Sequence, residues 1–426
     1  MKILILNYTG YRSNWGSQAT SRGLLQWMAE TLSSHCVCSF DIISYPPTHW
    51  IDHWQQLKYG DFLQKMFLYR DFASKNLTML ERLCRERFQY NLDRILNADL
   101  ILFQGEGASG SARSFKRTQL FGLPLLAKLK YGKPIISINQ TISYGCDQQK
   151  QMLKNIYNTF DLNFVREKES LKLCEEQGWP KFQLVPDAAF FYQSKIKLEL
   201  KNNENSYFCV SGSADIKSYD IEAYARNINE LSQHLGLRPV FLYSRPGDKI
   251  LVDTFKKYQP PEPAVLTYKT HPDIDSILQI LSQAALVIGG RYHTSVSALS
   301  LSVPVLLTGS NSHKTIGLAN MFSGDVPIVD HADEFQIKKS AKAVLNDCDL
   351  RKRLEHRLSK LHNQSIIEAQ VLLNFLNSKN LLEKSQVNQT IPSSNLNNRW
   401  RKLAPLKSLF RSINLGIYDR SNFESN

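Results

Sequence analysis

Short apolar runs alternate with amphipathic stretches along most of the chain. The pattern opens with a strand over Lys2–Asn7, a polar loop, and a helix from about Ser17 to Ser33. A second strand, Asp99–Gln104, ends in Gly105-Glu106-Gly107. Pro134–Gln140, Leu162–Val165 and Leu184–Pro186 read as further strands, each separated from the next by a helical period. Strands that alternate with helices predict a parallel sheet covered on both faces.

Periodicity is lost between Ser194 and Asn205, which predicts a linker, and then restarts. Tyr207–Ser211, Pro239–Ser244, Val265–Thr267, Leu286–Ile288 and Val303–Leu307 read as strands of a second unit. Helices are expected up to about Leu235, over Asp273–Gln283 and from about Thr294. The expected fold is α/β: two Rossmann-like doubly wound domains, residues 1–193 and 206–330, facing a central cleft at the carboxyl ends of their strands. An aromatic-rich, helical insertion covers about 46–97, and residues 334–378 read as helices that close the fold. The tail 384–426 carries seven basic and two acidic residues and is expected to be disordered, with Asn398–Phe410 as a short amphipathic helix for membrane or partner contact, or else as solvated charge alone.

Composition narrows the class. Of 426 residues 42% are hydrophobic and 21% charged, as in ordinary globular proteins. No apolar run approaches the roughly 20 residues of a membrane-spanning helix, and Ile3–Leu6 is too short for a secretory signal. A cytoplasmic protein is expected. The net charge of +13 favours anionic partners without choosing among phosphorylated metabolites, acidic glycans, membrane surfaces and nucleic acid, although no nucleic-acid module is recognisable. Seven scattered cysteines without a CxxC, and ten histidines without an HExxH, suggest neither a disulfide framework nor a metal site. The loop Asn14–Gln18 after the first strand matches neither GxGxxG nor GxxxxGK[ST], and no GxSxG nucleophile elbow occurs, so a nicotinamide site, a P-loop nucleotide site and a serine hydrolase have little backing.

The richest chemistry lies in Gly289-Gly290-Arg291-Tyr292-His293-Thr294, between a buried strand and a helix that Thr294 or Ser295 can cap. Gly290 permits close backbone approach, Arg291 offers a fork shaped for phosphate or carboxylate, and His293 exchanges protons near neutrality. The alternative is a local ion pair and a capping histidine. Lys314, in the loop after Val303–Leu307, emerges at the same sheet edge and can reach the same anion or stay solvated; His313 reads as a cap or surface residue. Arg166, directly after Leu162–Val165, faces the cleft from the first unit or pairs with Glu167 or Glu169. The loops containing Asn14, Gly16 and Gln18, and Gly105, Glu106 and Gly107, are candidates to line the cleft, with Glu106 able to bind sugar hydroxyls. Asp187 reads as a helix cap or as an orienter of a catalytic group. Asp215, Asp248 and Asp273 look isolated.

In order and spacing, these motifs resemble the polysaccharide pyruvyl transferase family: the first strand with its Gly16 loop, Gly105–Gly107, Phe164-Val165-Arg166-Glu167 with Ser170, Pro186-Asp187-Ala188, Gly290-Arg291-Tyr292-His293, and Pro304 followed by Lys314. The resemblance covers about residues 1–325 and implies a GT-B-like pair of domains with a C-terminal helical extension. It implies transfer of a pyruvyl group from phosphoenolpyruvate to two hydroxyls of a sugar, in exopolysaccharide or cell-surface glycan synthesis, with no cofactor and no metal. Arg166, Arg291, Lys314 and Gly290 would hold the donor and His293 would be the acid–base group. The acceptor, a sugar or lipid-linked oligosaccharide, would meet Asn14, Gly16, Gln18, Gly105, Glu106, Gly107 and Asp187, and the basic tail would bring the protein to the inner membrane face. Residues 46–97 would either shape that acceptor site or pack on the first sheet. Gly16-Ser17-Gln18 and Gly105-Glu106-Gly107 depart from the family's Gly-Asp and Gly-Gly-Gly patterns, which bears on acceptor specificity. Two other readings remain open at this point: a GT-B glycosyltransferase using a nucleotide sugar, and a catalytically inactive glycan- or anion-binding protein.

Overall fold

A computed structural model describes residues 1–44, 50–88, 92–107, 119–194, 207–258 and 264–382. The predicted linker and basic tail fall almost wholly outside these residues.

Two parallel sheets organise the chain. The first has six strands in the order β2-β1-β3-β4-β5-β6: β1 (Lys2–Leu6), β2 (Ser39–Ile43), β3 (Leu100–Gln104), β4 (Ile135–Gln140), β5 (Leu162–Val165) and β6 (Phe182–Leu184). The second has five in the order β11-β10-β7-β8-β9: β7 (Tyr207–Ser213), β8 (Arg238–Tyr243), β9 (Ala264–Thr267), β10 (Val287–Gly290) and β11 (Val305–Leu307). The strand order reverses between β1 and β3 in one sheet and between β7 and β10 in the other. Ligands of open α/β sheets bind at such switch points, beyond the carboxyl ends of the strands. The expected two-domain Rossmann-like architecture is therefore present.

Helices α1 (Trp15–Leu32), α5 (Gln119–Leu129), α6 (Asp147–Tyr157) and α7 (Lys168–Glu176) link the strands of the first sheet, and α8 (Ile221–Leu235), α9 (Lys249–Phe255), α10 (Ile274–Ser282) and α11 (Tyr292–Leu299) those of the second. The insertion supplies α2 (Trp50–Tyr69), α3 (Ser74–Phe88) and α4 (Leu92–Asn97). Leu63, Met66, Phe67, Leu80 and Leu83 from α2 and α3 share one core with Leu4, Leu6, Ile101 and Phe103 of the sheet, so these helices cover its outer face. After β11 come α12 (Lys314–Met321), α13 (Glu334–Asn346) and α14 (Leu350–Ser378). α14 returns to the first domain, where the His362 ring lies 5.7 Å from that of Phe191. Among the described residues no helix is long and apolar enough to cross a membrane.

Two elements differ from expectation for local reasons. β2 escapes the sequence pattern because it is a short edge strand whose first three residues are only partly covered. β6 ends at Leu184 rather than running to Pro186: Phe182, Gln183 and Leu184 pair with Asn163, Phe164 and Val165, and proline has no N–H to continue the ladder.

Candidate active site

Arg166 follows β5 without a linker residue, so the strand delivers its side chain to the carboxyl edge of the sheet. There it is 4% exposed. Its Nε donates to Thr141 Oγ1 at 2.9 Å, one terminal nitrogen donates to Asp187 Oδ2 at 2.7 Å, and the guanidinium lies 4.4 Å from the centre of the Tyr292 ring. Glu167 Oε2 is 3.5 Å from Nε. Burial disfavours the charge, but the Tyr292, Asp187 and Glu167 side chains outweigh it and hold Arg166 above the ordinary arginine range.

Asp187 caps the short 3-10 helix Ala188–Phe191, accepting the Ala189 N–H at 2.9 Å through Oδ1, while Oδ2 faces Arg166 and His293. His293 Nε2 is 3.2 Å from Asp187 Oδ2 and 3.3 Å from the Arg166 terminal nitrogen. Burial pushes the Asp187 carboxyl up, yet His293 and Arg166 prevail and keep it well below the usual carboxylate range. On the other side of the imidazole, Glu106 Oε1 is 3.8 Å from Nδ1. Glu106 accepts from Thr9 Oγ1 at 2.9 Å and Ser17 Oγ at 3.3 Å. Burial opposes its charge too, and His293, Thr9 and Arg166 overcome that, so it is held ionised. The site is an imidazole between two carboxylates, half-buried Glu106 and buried Asp187, the latter locked to a guanidinium.

In the second domain the β7–β10 register slips between Ile288 and Gly290. Gly289 has φ 147°, and a Cβ there would meet the Ser211 carbonyl. Only glycine fits. A Cβ on Gly290 would strike the Gly309 carbonyl and the Tyr219 hydroxyl, so Gly290 serves close packing of the β10 and β11 ends. α11 begins at Tyr292 with Arg291 as N-cap, two residues before the predicted start, and Thr294 and Ser295 lie inside it. Arg291 donates to Asp248 Oδ1 through Nε at 3.1 Å and a terminal nitrogen at 2.6 Å. Asp248, which looks isolated in the sequence, is an organiser: its Oδ2 accepts the backbone N–H groups of Ser244 and Arg245, each at 3.0 Å. The only sequence signal for this is the turn Ser244-Arg245-Pro246-Gly247-Asp248, because its partner Arg291 is 43 residues away.

Lys314 opens α12 and donates to Asn311 Oδ1 at 2.7 Å. Burial, and then the guanidinium groups of Arg166, Arg245 and Arg291, push its ammonium down to about 7. All four cations therefore share one field. Gln140 Oε1, Tyr292 Oη and Ser310 Oγ, from the ends of β4, β10 and β11, are buried without a hydrogen-bond partner among the described residues.

Of the remaining candidates, Gly16 and Gln18 meet the second domain, while Asn14, Gly105 and Gly107 serve the local structure of the first. Gly16 lies against His293, where a Cβ would come within 2.8 Å of Nδ1. Gln18 spends its amide on backbone: Nε2 donates to Arg12 O at 3.0 Å and Pro272 O at 2.7 Å, and Oε1 accepts from Ile274 N at 3.0 Å. Asn14 caps α1 through Ser17 N at 3.0 Å. Gly105 packs against the Gln140 side chain, and Gly107, with φ 68°, turns the chain away. Trp15 Nε1 donates to His271 O at 2.6 Å, adding to the same seam. His313 reaches across the boundary as well, with Nε2 3.1 Å from Ser170 Oγ and 3.5 Å from Glu167 Oε1. Asn14, Gln18, Gly105 and Gly290 are thus engaged in capping, clamping or packing, whereas Arg166, Glu106, Asp187 and His293 converge directly and Arg291 and Lys314 stand on the facing edge.

Two Rossmann-like domains with their strand ends turned toward a shared cleft define the GT-B class. Solved structures agree on the fold: the S. aureus MnaA–UDP co-structure superposes with a TM-score of 0.52 at 11% identity, covering 93% of this chain and 99% of its own. The UDP-GlcNAc 2-epimerase of Neisseria meningitidis gives 0.52 at 14% identity, covering 88% and 100%. A UDP-glucosyltransferase from Polygonum tinctorium gives 0.50 at 12%, covering 88% and 98%. No curated protein sequence matches significantly. Within that class, the family model for polysaccharide pyruvyl transferase matches residues 14–312, and the chain belongs to this family.

Proposed function

We propose that the protein transfers the pyruvyl group of phosphoenolpyruvate to two hydroxyls of a sugar, as a cyclic ketal. The observation that carries this reading is the contact of Arg166, Asp187 and His293 across the domain boundary, within the field of Arg291 and Lys314. A small donor with a phosphate and a carboxylate needs several cations beside one proton donor, and that is the set assembled here.

In this reading His293, held between Asp187 and Glu106, gives a proton to the methylene carbon of phosphoenolpyruvate. Positive charge builds on the neighbouring carbon, where a sugar hydroxyl adds and passes its proton back to His293. The C–O bond to phosphate then breaks, the second hydroxyl closes the ring, and its proton leaves with the phosphate as hydrogen phosphate. Cations around the leaving group stabilise the charge that develops there. The acceptor is a sugar, free or carried on a lipid, placed near Glu106.

The test is phosphate release from phosphoenolpyruvate with glycan acceptors. His293→Ala is expected to stop turnover while calorimetry still detects the donor. Wild-type-like turnover in that variant removes His293 from its role, and uridine diphosphate binding with phosphoenolpyruvate inert would favour a nucleotide-sugar transferase instead.

A further inference from the structure

The four cations of the cleft are not equivalent. Arg166 is paired with Asp187 at 2.7 Å and Arg291 with Asp248 at 2.6 Å, both carboxylates being buried. Each of these guanidinium groups therefore carries its own counter-charge, and a ligand meets the pair rather than a bare cation. Lys314 and Arg245 differ: among the described residues neither forms an ion pair, and the one side-chain hydrogen bond of Lys314 goes to the neutral Asn311. Arg245 follows β8 as Arg291 follows β10, and its backbone N–H is tied at 3.0 Å to the same Asp248 that holds the Arg291 side chain. One carboxylate thus fixes both arginine-bearing loops, and the order β10-β7-β8 sets them a single strand apart. Partial desolvation and the nearby Arg291 pull against the charge of Arg245, as Arg245 in turn does against Lys314.

We infer that Arg245 and Lys314 form the phosphate subsite of the cleft, supplying positive charge that no ion pair takes up to a phosphate monoester dianion, while Arg166 and Arg291 act mainly as shaped donors to its oxygens. This rests on the phosphoenolpyruvate reading for the identity of the donor but not for the presence of the anion site. Cations that share one field repel, and a dianion bound by both relieves that repulsion as it gains charge-assisted hydrogen bonds. Arg245 is thereby a donor-binding residue that no motif points to.

Calorimetric titration of the full chain with phosphoenolpyruvate and, separately, with inorganic phosphate tests the assignment, using wild type, Arg245→Gln and Arg245→Lys. Arg245→Gln is expected to weaken both ligands by about tenfold to a hundredfold, and Arg245→Lys by much less, because it restores the charge without the fork. Wild-type affinity for both ligands in Arg245→Gln overturns the inference. Inorganic phosphate bound in an Arg245-dependent way, with phosphoenolpyruvate ignored, upholds the anion subsite and overturns the donor assignment instead. Binding of neither ligand by wild type overturns both. Circular-dichroism melts of the variants identify any loss that comes from unfolding, and Arg245→Lys remains the discriminating comparison in that case.

Discussion

Gly16 and His293 touch across the domain boundary, the start of α1 against the start of α11, with no room between them for a methyl group. The contact makes a backbone position in one domain responsible for the attitude of an imidazole carried by the other. Helix propensity alone would make Gly16→Ala stabilising by about 1 kcal/mol. The collision should reverse that sign. The expected outcome is a protein less stable by about 1–3 kcal/mol, with turnover reduced more than donor affinity, read by thermal melts and steady-state kinetics.

Asp187 holds Arg166 and His293 at once, so its removal should be felt in both stability and chemistry. Asp187→Asn leaves a buried guanidinium without its closest counter-charge, an effect of about 3–5 kcal/mol. The sign with pH follows from the depressed native carboxyl: its stabilisation is complete above the unfolded value of about 4 and is lost as pH falls through the lower native one. Denaturant titrations should show the gap between wild type and variant full at neutral pH and closing in acid. A gap that stays constant with pH would remove the ion pair as its cause.

Lys314 is pushed down to about 7, so the free protein loses this cation as pH rises through neutrality. A bound dianion favours the charged form. Donor affinity should therefore fall as pH increases above about 7, and binding near that pH should take up protons, seen as a calorimetric enthalpy that varies with the ionisation heat of the buffer. Lys314→Met should abolish the uptake. For stability the sign is opposite to that of an ion-paired lysine: the depressed native value means a charged Lys314 opposes folding below about 7, and the penalty lifts as pH rises toward the unfolded value. Lys314→Met should accordingly raise the melting temperature by a few degrees at or below neutral pH.

Gln18 bonds three backbone groups at 2.7 to 3.0 Å, two of which, Pro272 O and the Ile274 N–H, belong to the second domain. Gln18→Leu keeps the volume and takes the side-chain partner from two carbonyls and one N–H, which should cost about 1–3 kcal/mol. Hydrogen exchange should quicken at Ile274, whose N–H loses its acceptor, while amides in the middle of β3 keep their protection.

Much of the fold was legible because its signals are local. Strands Leu100–Gln104 and Ile135–Gln140 are buried along their whole length, and each carries a local apolar signal, Leu100–Phe103 in the first and Ile135, Ile136 and Ile138 in the second. Edge strand β2 and the end of β6 at Leu184, ahead of Pro186, were harder, since partial burial blurs one and a missing donor truncates the other. In the site, Arg166, Arg291 and His293 announce themselves by standing at strand ends in chemically loaded runs. Asp248 does not, because its meaning is a partner 43 residues away.

By itself, then, the sequence determined which segments alternate, which residues stand at the carboxyl edges of the strands, and that the charge there is positive. Tertiary structure alone decided which of those charges are already neutralised. Arg166 with Asp187 and Arg291 with Asp248 are ion-paired, whereas among the described residues Arg245 and Lys314 form no ion pair. It also turned Gln18 and Asn14 from cleft residues into a clamp and a cap. The physical reason is that local periodicity reports burial one residue at a time. Electrostatic compensation and steric exclusion belong to pairs of groups that meet only after the two sheets have formed and the domains have closed on each other.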